Sequence, residues 1–375
     1  MTKPRILLVT HYYASHRGGV EIVAAKVAGH LVSRGYGVTW AASDTDTPPD
    51  ARDGIEILPM KAQNFVEKKL GLPYPVWSRE SLSQLRTKLQ SSDVLHIHDS
   101  LYHGNVAAAR AARRIGKPYI VTQHIGFVPY KSAVLRTALT IANRLVALPT
   151  LRGASGIGYV SETTQHYFEG LGLAQDKGEL VPNGVDIATF TPEGPRDRGS
   201  FGFTEDRPLC VFVGRFVEKK GLPTIRQLAT ANPDVQWALA GWGPINPAEW
   251  NLPNVKVFRD LGGPTLTPLY RCADLLVMPS VGEGFPLVVQ EAMACGTAAV
   301  ISAETAEGYT PARPFLHAVP AADVEQWKAT LAKLLANRSE LQATTGQRAE
   351  FAKTYWSWDS CTDRYEALIR KALKL

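Results

Sequence analysis

ILLVTHYYASHRGGVEIVAAKVAGHL, residues 6–31, reads as one complete strand–loop–helix unit. Ile6–Thr10 is a short apolar run of strand length. After a loop that ends in Gly18-Gly19, the residues Val20, Val23, Ala24, Val27, Ala28 and Leu31 recur three and four apart and mark one face of a helix beginning near Gly19. A strand followed directly by a helix, repeated along a chain, is the pattern of an α/β protein with parallel sheets.

The alternation does repeat, in two sets. The first set of strands reads ILLVT (6–10), VTWAAS (38–43), IEILP (55–59), DVLHIH (93–98), PYIVTQ (118–123) and GIGYV (156–160). The second reads LCVFVG (209–214), VQWALAG (235–241), VKVF (255–258), DLLVMP (274–279) and AAVIS (298–302). Between them, residues 183–208 are rich in Gly, Pro and acids and lack either period, as a linker and surface segment would. The expectation is therefore two doubly wound, Rossmann-like domains facing each other across a cleft, with functional residues in the loops that follow strands. Their bounds are 1–184 and 185–356, with a last helix, 357–375, packing back on the first. From Ala322 three helical stretches run to the terminus. The last, carrying Trp356, Trp358, Tyr365, Leu368, Ile369 and Leu373, is expected to clamp the domains.

Composition removes other classes. The chain has 375 residues, 45% hydrophobic and 20% charged, which suits two packed cores and excludes disorder and fibrous repeats. No apolar run approaches the roughly 18 residues of a membrane span. The first residues, MTKPRILLVTHYY, lack the apolar stretch and cleavage site of a secretory signal, so a cytoplasmic location is expected. Cys210, Cys272, Cys295 and Cys361 lie far apart with no CxxC pair, and read as reduced core thiols. The net charge of +6 is local: Arg110, Arg113, Arg114, Lys117, Lys131, Arg136 and Arg144 fall within residues 101–150, which hold no acid. This patch suits an anionic membrane surface or a phosphorylated acceptor, or it is a solvated face. Nucleic acid is not expected as a partner, because no aromatic platform interleaves the basic residues.

Three stretches carry candidate chemistry. Gly18-Gly19 at a strand-to-helix junction lets backbone N–H groups approach an anion, or simply makes a tight turn. In VGRFVEKKGL (213–222), Arg215 and Lys220 stand between a strand and the next helix, where guanidinium and ammonium suit a diphosphate. In PSVGEGFPLVVQEAMACG (279–296), Glu283 sits in a glycine-flanked loop before a helix that starts about Pro286, and Glu291 lies further along that helix. Glu283 can accept from sugar hydroxyls, and Glu291 from both hydroxyls of a ribose. DTD (44–46) mimics a metal-binding motif, but its polar, proline-bearing surroundings read as turn chemistry. His96 and His98 of HIHD point the same way from a strand and favour the acceptor over a metal.

These segments, with GGVE (18–21), His124 of TQHIG, PNGVD (182–186), AGWGP (240–244) and EGFPLVVQE (283–291), run in an order that resembles the retaining glycosyltransferases of the GT-B fold, group 1 or family four. The two glutamates, separated by seven residues, carry much of the likeness. The resemblance implies that Arg215, Lys220, Gly18 and Gly19 hold the donor diphosphate. It implies that Glu283, with Gly284, Phe285, Pro286 and Leu287, holds the transferred sugar, that Glu291 holds the ribose and that His124 lies by the anomeric carbon. His124, Glu283, Arg215 and Lys220 are then the catalytic set. Pro286 departs from the family, where glycine is common.

The expected reaction moves a hexose-type sugar, with retention, from a nucleoside-diphosphate sugar (UDP or GDP) to a glycan or lipid-linked acceptor, in bacterial cell-surface polysaccharide or glycolipid synthesis. No clear nucleophile for double displacement is visible. Neither a metal nor a resident cofactor is expected, since the cations meet the leaving diphosphate. His98 and Asn183 are the acceptor candidates. The helical stretch Lys131–Leu148, apolar on one side with Arg136 and Arg144 elsewhere, either faces the core or docks peripherally on the inner membrane face. An epimerase or phosphorylase of the same architecture, or a non-catalytic nucleotide-sugar binder, are the rival readings.

Overall fold

Leu7 and Val9 of strand β1 (Arg5–Val9) enter one hydrophobic layer, and Ile6 and Leu8 alternate to the opposite face; none of the four exceeds 1% exposure. A strand apolar on both faces must be covered on both, and β1 lies inside a parallel sheet. The computed structural model describes residues 3–16, 18–51, 54–65, 67, 74–127 and 132–375. They form two units, Met1–Asn183 with Trp358–Leu375, and Gly184–Ser357.

In the first unit β1 is joined by β2 (Gly37–Ser43), β3 (Ile55–Met60), β4 (Val94–His98), β5 (Tyr119–Gln123), β6 (Gly156–Tyr159) and β7 (Gly178–Leu180) in the order β3-β2-β1-β4-β5-β6-β7. Every neighbouring pair is parallel. The second unit repeats the scheme with β8 (Leu209–Val213), β9 (Gln236–Ala240), β10 (Val255–Phe258), β11 (Leu275–Met278), β12 (Ala298–Ser302) and β13 (Leu316–Val319), ordered β10-β9-β8-β11-β12-β13 and again all parallel. In each sheet the order reverses beside the first strand, between β1 and β4 and between β8 and β11. Loops leaving the carboxyl ends there part to either side and open a crevice.

The second core gathers Phe212, Phe216, Trp237 and Trp327 around its sheet. No described helix is long and apolar enough to cross a membrane. All four cysteines are buried and free.

Several local expectations change. The helix Gly19–Ser33 buries Glu21 with Val23, Ala24, Val27, Ala28 and Leu31, whereas Val20 is only half-buried. Four helices, not three, follow Ala322: Val324–Ala336, Arg338–Ala343, Thr345–Trp356 and Trp358–Leu373. Ser357, at φ −58° and ψ 149°, breaks the last stretch, so Trp356 and Trp358 belong to different helices. The final helix packs within the first unit, where Leu368 fills the space left by Gly156 and Gly158. The short strands β7 and β13 escape a periodicity reading because three residues, all half-buried, or four, two of them buried, carry too little pattern. The basic residue Lys131 lies outside the described residues, and the stretch beyond it is a helix, Ala133–Ala142, with no buried residue.

Candidate active site

The second unit builds its site from the loops after β8 and β11. Beyond β8 the chain passes Gly214, Arg215 and a short 3-10 turn, Glu218–Lys220, before Gly221 and the helix Leu222–Ala231. Gly221 has φ +76°, and a Cβ there would sit 2.3 Å from the carbonyl oxygen of Pro279. Only glycine permits both that backbone sign and that approach. The loop from β11 is thereby laid against the turn, and the Val281 N–H donates to the Lys219 carbonyl at 2.9 Å. Gly241 serves the neighbouring loop: its Cβ would meet Gly214 O at 1.9 Å. Phe216 N–H then donates to Trp242 O at 2.6 Å, and Arg215 lies over the Trp242 ring at 4.9 Å.

Lys220 and Glu283 meet across these loops. Lys220 Nζ is 2.9 Å from Glu283 Oε2, and the side chains are only 16% and 11% exposed. Glu283 Oε1 is buried with no partner among the described residues. A carboxylate oxygen shielded from water yet unbonded is an open acceptor for a ligand donor.

Pro286 caps the helix Leu287–Ala294 and does not stand in its first turn. Phe285 is buried, stacked on Tyr309 with ring centroids 4.1 Å apart and edge-on to Trp356 at 5.9 Å. The Tyr309 hydroxyl donates to Pro286 O at 2.8 Å. Tyr309 comes from the Glu307–Phe315 segment. Sequence reasoning missed this support, whose only signal was an aromatic residue inside an otherwise polar, proline-rich stretch. One turn along, Glu291 accepts from the Tyr270 hydroxyl at 3.0 Å. Burial lifts its carboxyl to about 7, against that hydrogen bond.

The first unit gathers histidines at its own reversal point. His98 Nδ1 lies 2.9 Å from His124 Nε2, one ring nitrogen donating to the other, and His96 Nε2 is 2.7 Å from Thr122 Oγ1. Burial pushes His96 and His124 down to about 3 and His98 well below its ordinary value, so all three are neutral near pH 7. Asp99, in left-handed backbone at φ 66°, turns the chain here. Its Oδ1 accepts from the His124 N–H at 2.8 Å and from Gln123 Nε2 at 3.1 Å, which fixes the His124 backbone. Burial raises Asp99 to about 6.

His11 and Glu21 form a second buried pair, Nε2 to Oε1 2.8 Å, at 4% and 2% exposure. The His11 ring stacks on Tyr102 at 3.6 Å. Burial opposes the Glu21 charge, yet His11 outweighs it and holds the carboxyl below its ordinary value. A Cβ on Gly18 would lie 2.1 Å from Glu21 Oε2, so Gly18 makes room for this carboxylate while capping the helix Gly19–Ser33 without a side chain. Its leading N–H groups thus have no side-chain cap to displace. The sequence reading gave His11 and Glu21 no role, although Glu21 closes the GGVE stretch, residues 18–21. The signal was an acid at a core-facing helical position.

Of the residues singled out from sequence, Arg215, Lys220, Glu283, Gly284, Phe285, Pro286, Leu287 and Glu291 fall on the two loops and one helix of the second unit. Gly18, Gly19, His98 and His124 lie in the first. His98 is 0% exposed beneath His124, and Asn183 is 5% exposed at the end of the first unit. Asp44 and Asp46 lie in a turn, where Asp44 accepts from the Ala62 N–H at 3.0 Å and Asp46 meets His16 at 2.8 Å.

Two family models match the chain in succession: Glycosyltransferase Family 4 over residues 17–189 and Glycosyl transferases group 1 over residues 207–337. A D-inositol 3-phosphate glycosyltransferase of Mycobacterium avium is 29% identical over 216 residues, covering 52% of this chain and 50% of that protein. A GDP-mannose-dependent monoacylated alpha-(1-6)-phosphatidylinositol monomannoside mannosyltransferase of Corynebacterium glutamicum is 26% identical over 234 residues, covering 56% and 61%. The chain thus spans about half the length of these curated relatives. Among solved structures, sucrose-phosphate synthase from Thermosynechococcus elongatus superposes over 99% of this chain and 100% of that one, with a TM-score of 0.80 at 19% identity. That likeness shows the fold, which is GT-B.

Proposed function

The chain belongs to the group 1, family 4 glycosyltransferases, and on that premise we propose that it moves a hexose-type sugar from a nucleoside-diphosphate sugar, UDP- or GDP-linked, to a glycan or lipid-linked acceptor with retention of anomeric configuration. The observation that carries the reading is the Lys220–Glu283 pair, with the second Glu283 oxygen buried and open. In this reading Arg215 and Lys220 meet the diphosphate, Glu283 accepts from hydroxyls of the sugar, and Glu291 accepts from the ribose. Gly284, Phe285, Pro286 and Leu287 shape the sugar subsite, stiffened from behind by Tyr309.

As the sugar–phosphate bond breaks, charge grows on the diphosphate, and preplaced cations stabilise it without reorganisation. The enzyme accordingly needs no metal or resident cofactor. The acceptor hydroxyl adds to the anomeric carbon on the face the diphosphate leaves, and its proton passes to a diphosphate oxygen. Gly18 and Gly19 offer further N–H donors to the diphosphate. His124, neutral and held by Asp99, serves as a hydrogen-bonding group beside the sugar and not as a cation. His98 is read as the support of His124, because a fully buried ring offers an acceptor no surface. Asn183 remains the acceptor candidate.

For a lipid-linked acceptor the enzyme works at the cytoplasmic membrane face, in glycolipid or polysaccharide synthesis. Val134 is 77% exposed, Leu145 71% and Ile141 51%, and Arg110, Arg113 and Arg114 are exposed nearby in sequence, which together suit an anionic headgroup layer.

Proton NMR of the product tests the reaction. The expected result is transfer that requires acceptor, survives EDTA and gives a new linkage with the donor's anomeric configuration. Donor converted with no acceptor, or turnover that requires inorganic phosphate, would overturn it in favour of an epimerase or a phosphorylase.

A further inference from the structure

The second unit holds a cavity of about 250 Å³ at the other end of its sheet from the donor loops. It is lined beside Asp274 and Thr297, which precede β11 and β12, whereas Lys220 and Glu283 follow β8 and β11. A strand of this length separates the two ends by roughly 15 Å.

Five guanidinium groups, those of Arg196, Arg198, Arg271, Arg338 and Arg348, line the cavity against two carboxylates. Both carboxylates are already held. Asp274 Oδ2 accepts from Arg198 Nη2 at 3.0 Å and from the Leu209 N–H at 2.8 Å, and Oδ1 accepts from Arg338 Nε at 3.1 Å. Glu205 Oε1 accepts from the Arg198 N–H at 3.0 Å.

Arg348 is left with neutral partners. It is 4% exposed, and its N–H groups go to Gly296 O at 2.9 Å, Thr344 Oγ1 at 2.5 Å and Leu341 O. Arg271 Nε donates to Thr191 O at 2.7 Å. Among the described residues no carboxylate lies within ion-pair distance of either. A buried cation whose charge no anion balances is costly, and burial alone pulls the Arg348 guanidinium down to about 10. An anion entering the cavity removes that cost. The volume falls below the roughly 300 Å³ at which drug-sized pockets begin, which limits the occupant to a small group.

We propose that this cavity binds a phosphate-type oxyanion, as inorganic phosphate or as the phosphoryl group of a small phosphate monoester, at a site separate from the donor loops. Guanidinium forks matched to tetrahedral oxyanions are the chemistry that recognises it.

Titration calorimetry on the full chain at constant ionic strength, with inorganic phosphate and with glycerol 3-phosphate, tests the proposal. Wild type, Arg271→Gln and Lys220→Ala are compared. Arg271 is half-buried, so its replacement disturbs the core less than that of Arg348, which is 4% exposed. The expected result is saturable binding of at least one probe at one site, weakened about tenfold or more in Arg271→Gln and unchanged in Lys220→Ala. Preference for the ester assigns the occupant to a phosphorylated metabolite, and equal binding assigns it to free phosphate. No saturable binding, equal affinity in Arg271→Gln, or loss in Lys220→Ala overturns it. The last outcome places the anion on the donor cations instead. Arg271→Gln should leave nucleoside-diphosphate binding at wild-type strength, so failure here is distinct from failure of the glycosyltransferase reading.

Discussion

Replacing Lys220 by Met should expose how the loops after β8 and β11 are held together. In the native chain Lys220 Nζ sits 2.9 Å from Glu283 Oε2, with side chains 16% and 11% exposed, and Oε1 has no partner among the described residues. Lys220→Met keeps the aliphatic stem but leaves a mostly buried carboxylate bonded by neither oxygen. Breaking a fully buried pair costs roughly 3–5 kcal/mol, and exposed pairs are worth under about 1 kcal/mol. At this burial the cost should be about 2–3 kcal/mol. For a unit of this size that lowers Tm by roughly 4–12 °C if the unit melts as its own transition. Adding Glu283→Gln removes the stranded charge, so the double variant should recover about 1–2 kcal/mol of the loss. Urea denaturation of wild type, both singles and the double reads the coupling directly. A Lys220→Met cost under about 0.5 kcal/mol, or strictly additive singles, would refute the claim that this pair joins the two loops.

Four further outcomes follow from the same geometry. Gly221→Ala forces a Cβ to 2.3 Å from Pro279 O at a positive φ, so it should destabilise the second unit by more than about 1 kcal/mol and weaken nucleoside-diphosphate binding, measured by melting and calorimetry. Glu291, raised to about 7, binds its proton more tightly folded than unfolded, so its contribution to stability is complete below about pH 4.5 and declines as pH rises through 7; Glu291→Gln should flatten that slope in denaturant titrations, and ribonucleotide affinity should rise with pH across the same window in wild type only. Tyr309→Phe removes the hydroxyl on Pro286 O, costing about 1 kcal/mol and loosening the sugar subsite, read as a higher donor KM with the fold kept. Neutralising Arg110, Arg113 and Arg114 together should weaken binding to anionic vesicles roughly a hundredfold at low salt, and Val134→Ser with Leu145→Ser should weaken it at any salt; equal sedimentation of all variants counts against membrane docking.

The two-sheet pattern was legible because buried parallel strands are unbroken apolar runs and the helices between them keep a period near 3.6; the bounds of VKVF and AAVIS coincide with β10 and β12. The loops after β8 and β11 were legible for a related reason. Glycine and charge directly after a strand have no packing purpose, and Gly221 and Gly241 prove to be places where backbone meets backbone. What stayed hidden depends on contacts distant in sequence. Nothing local ties Tyr309 or Trp356 to Phe285, and the Ser357 break is a matter of one extended residue in a helical pattern. Glu21 has its buried partner in His11, ten residues earlier in the loop after β1, and no local spacing ties the two. Likewise the side of Ala133–Ala142 that faces outward follows from what packs on it, and the helical period of Val134, Leu135 and Ile141 is the same for a core and for a membrane.

The most direct measurement of the central claim is calorimetric titration of wild type and Glu283→Gln with UDP, GDP and ADP and with a sugar of each. One nucleoside diphosphate should bind both proteins equally, while its sugar should bind Glu283→Gln at least tenfold more weakly, since in the proposed reaction Glu283 accepts from the sugar and not from the diphosphate. Binding of none of these ligands to wild type, or an equal loss for diphosphate and sugar nucleotide in the variant, would contradict it.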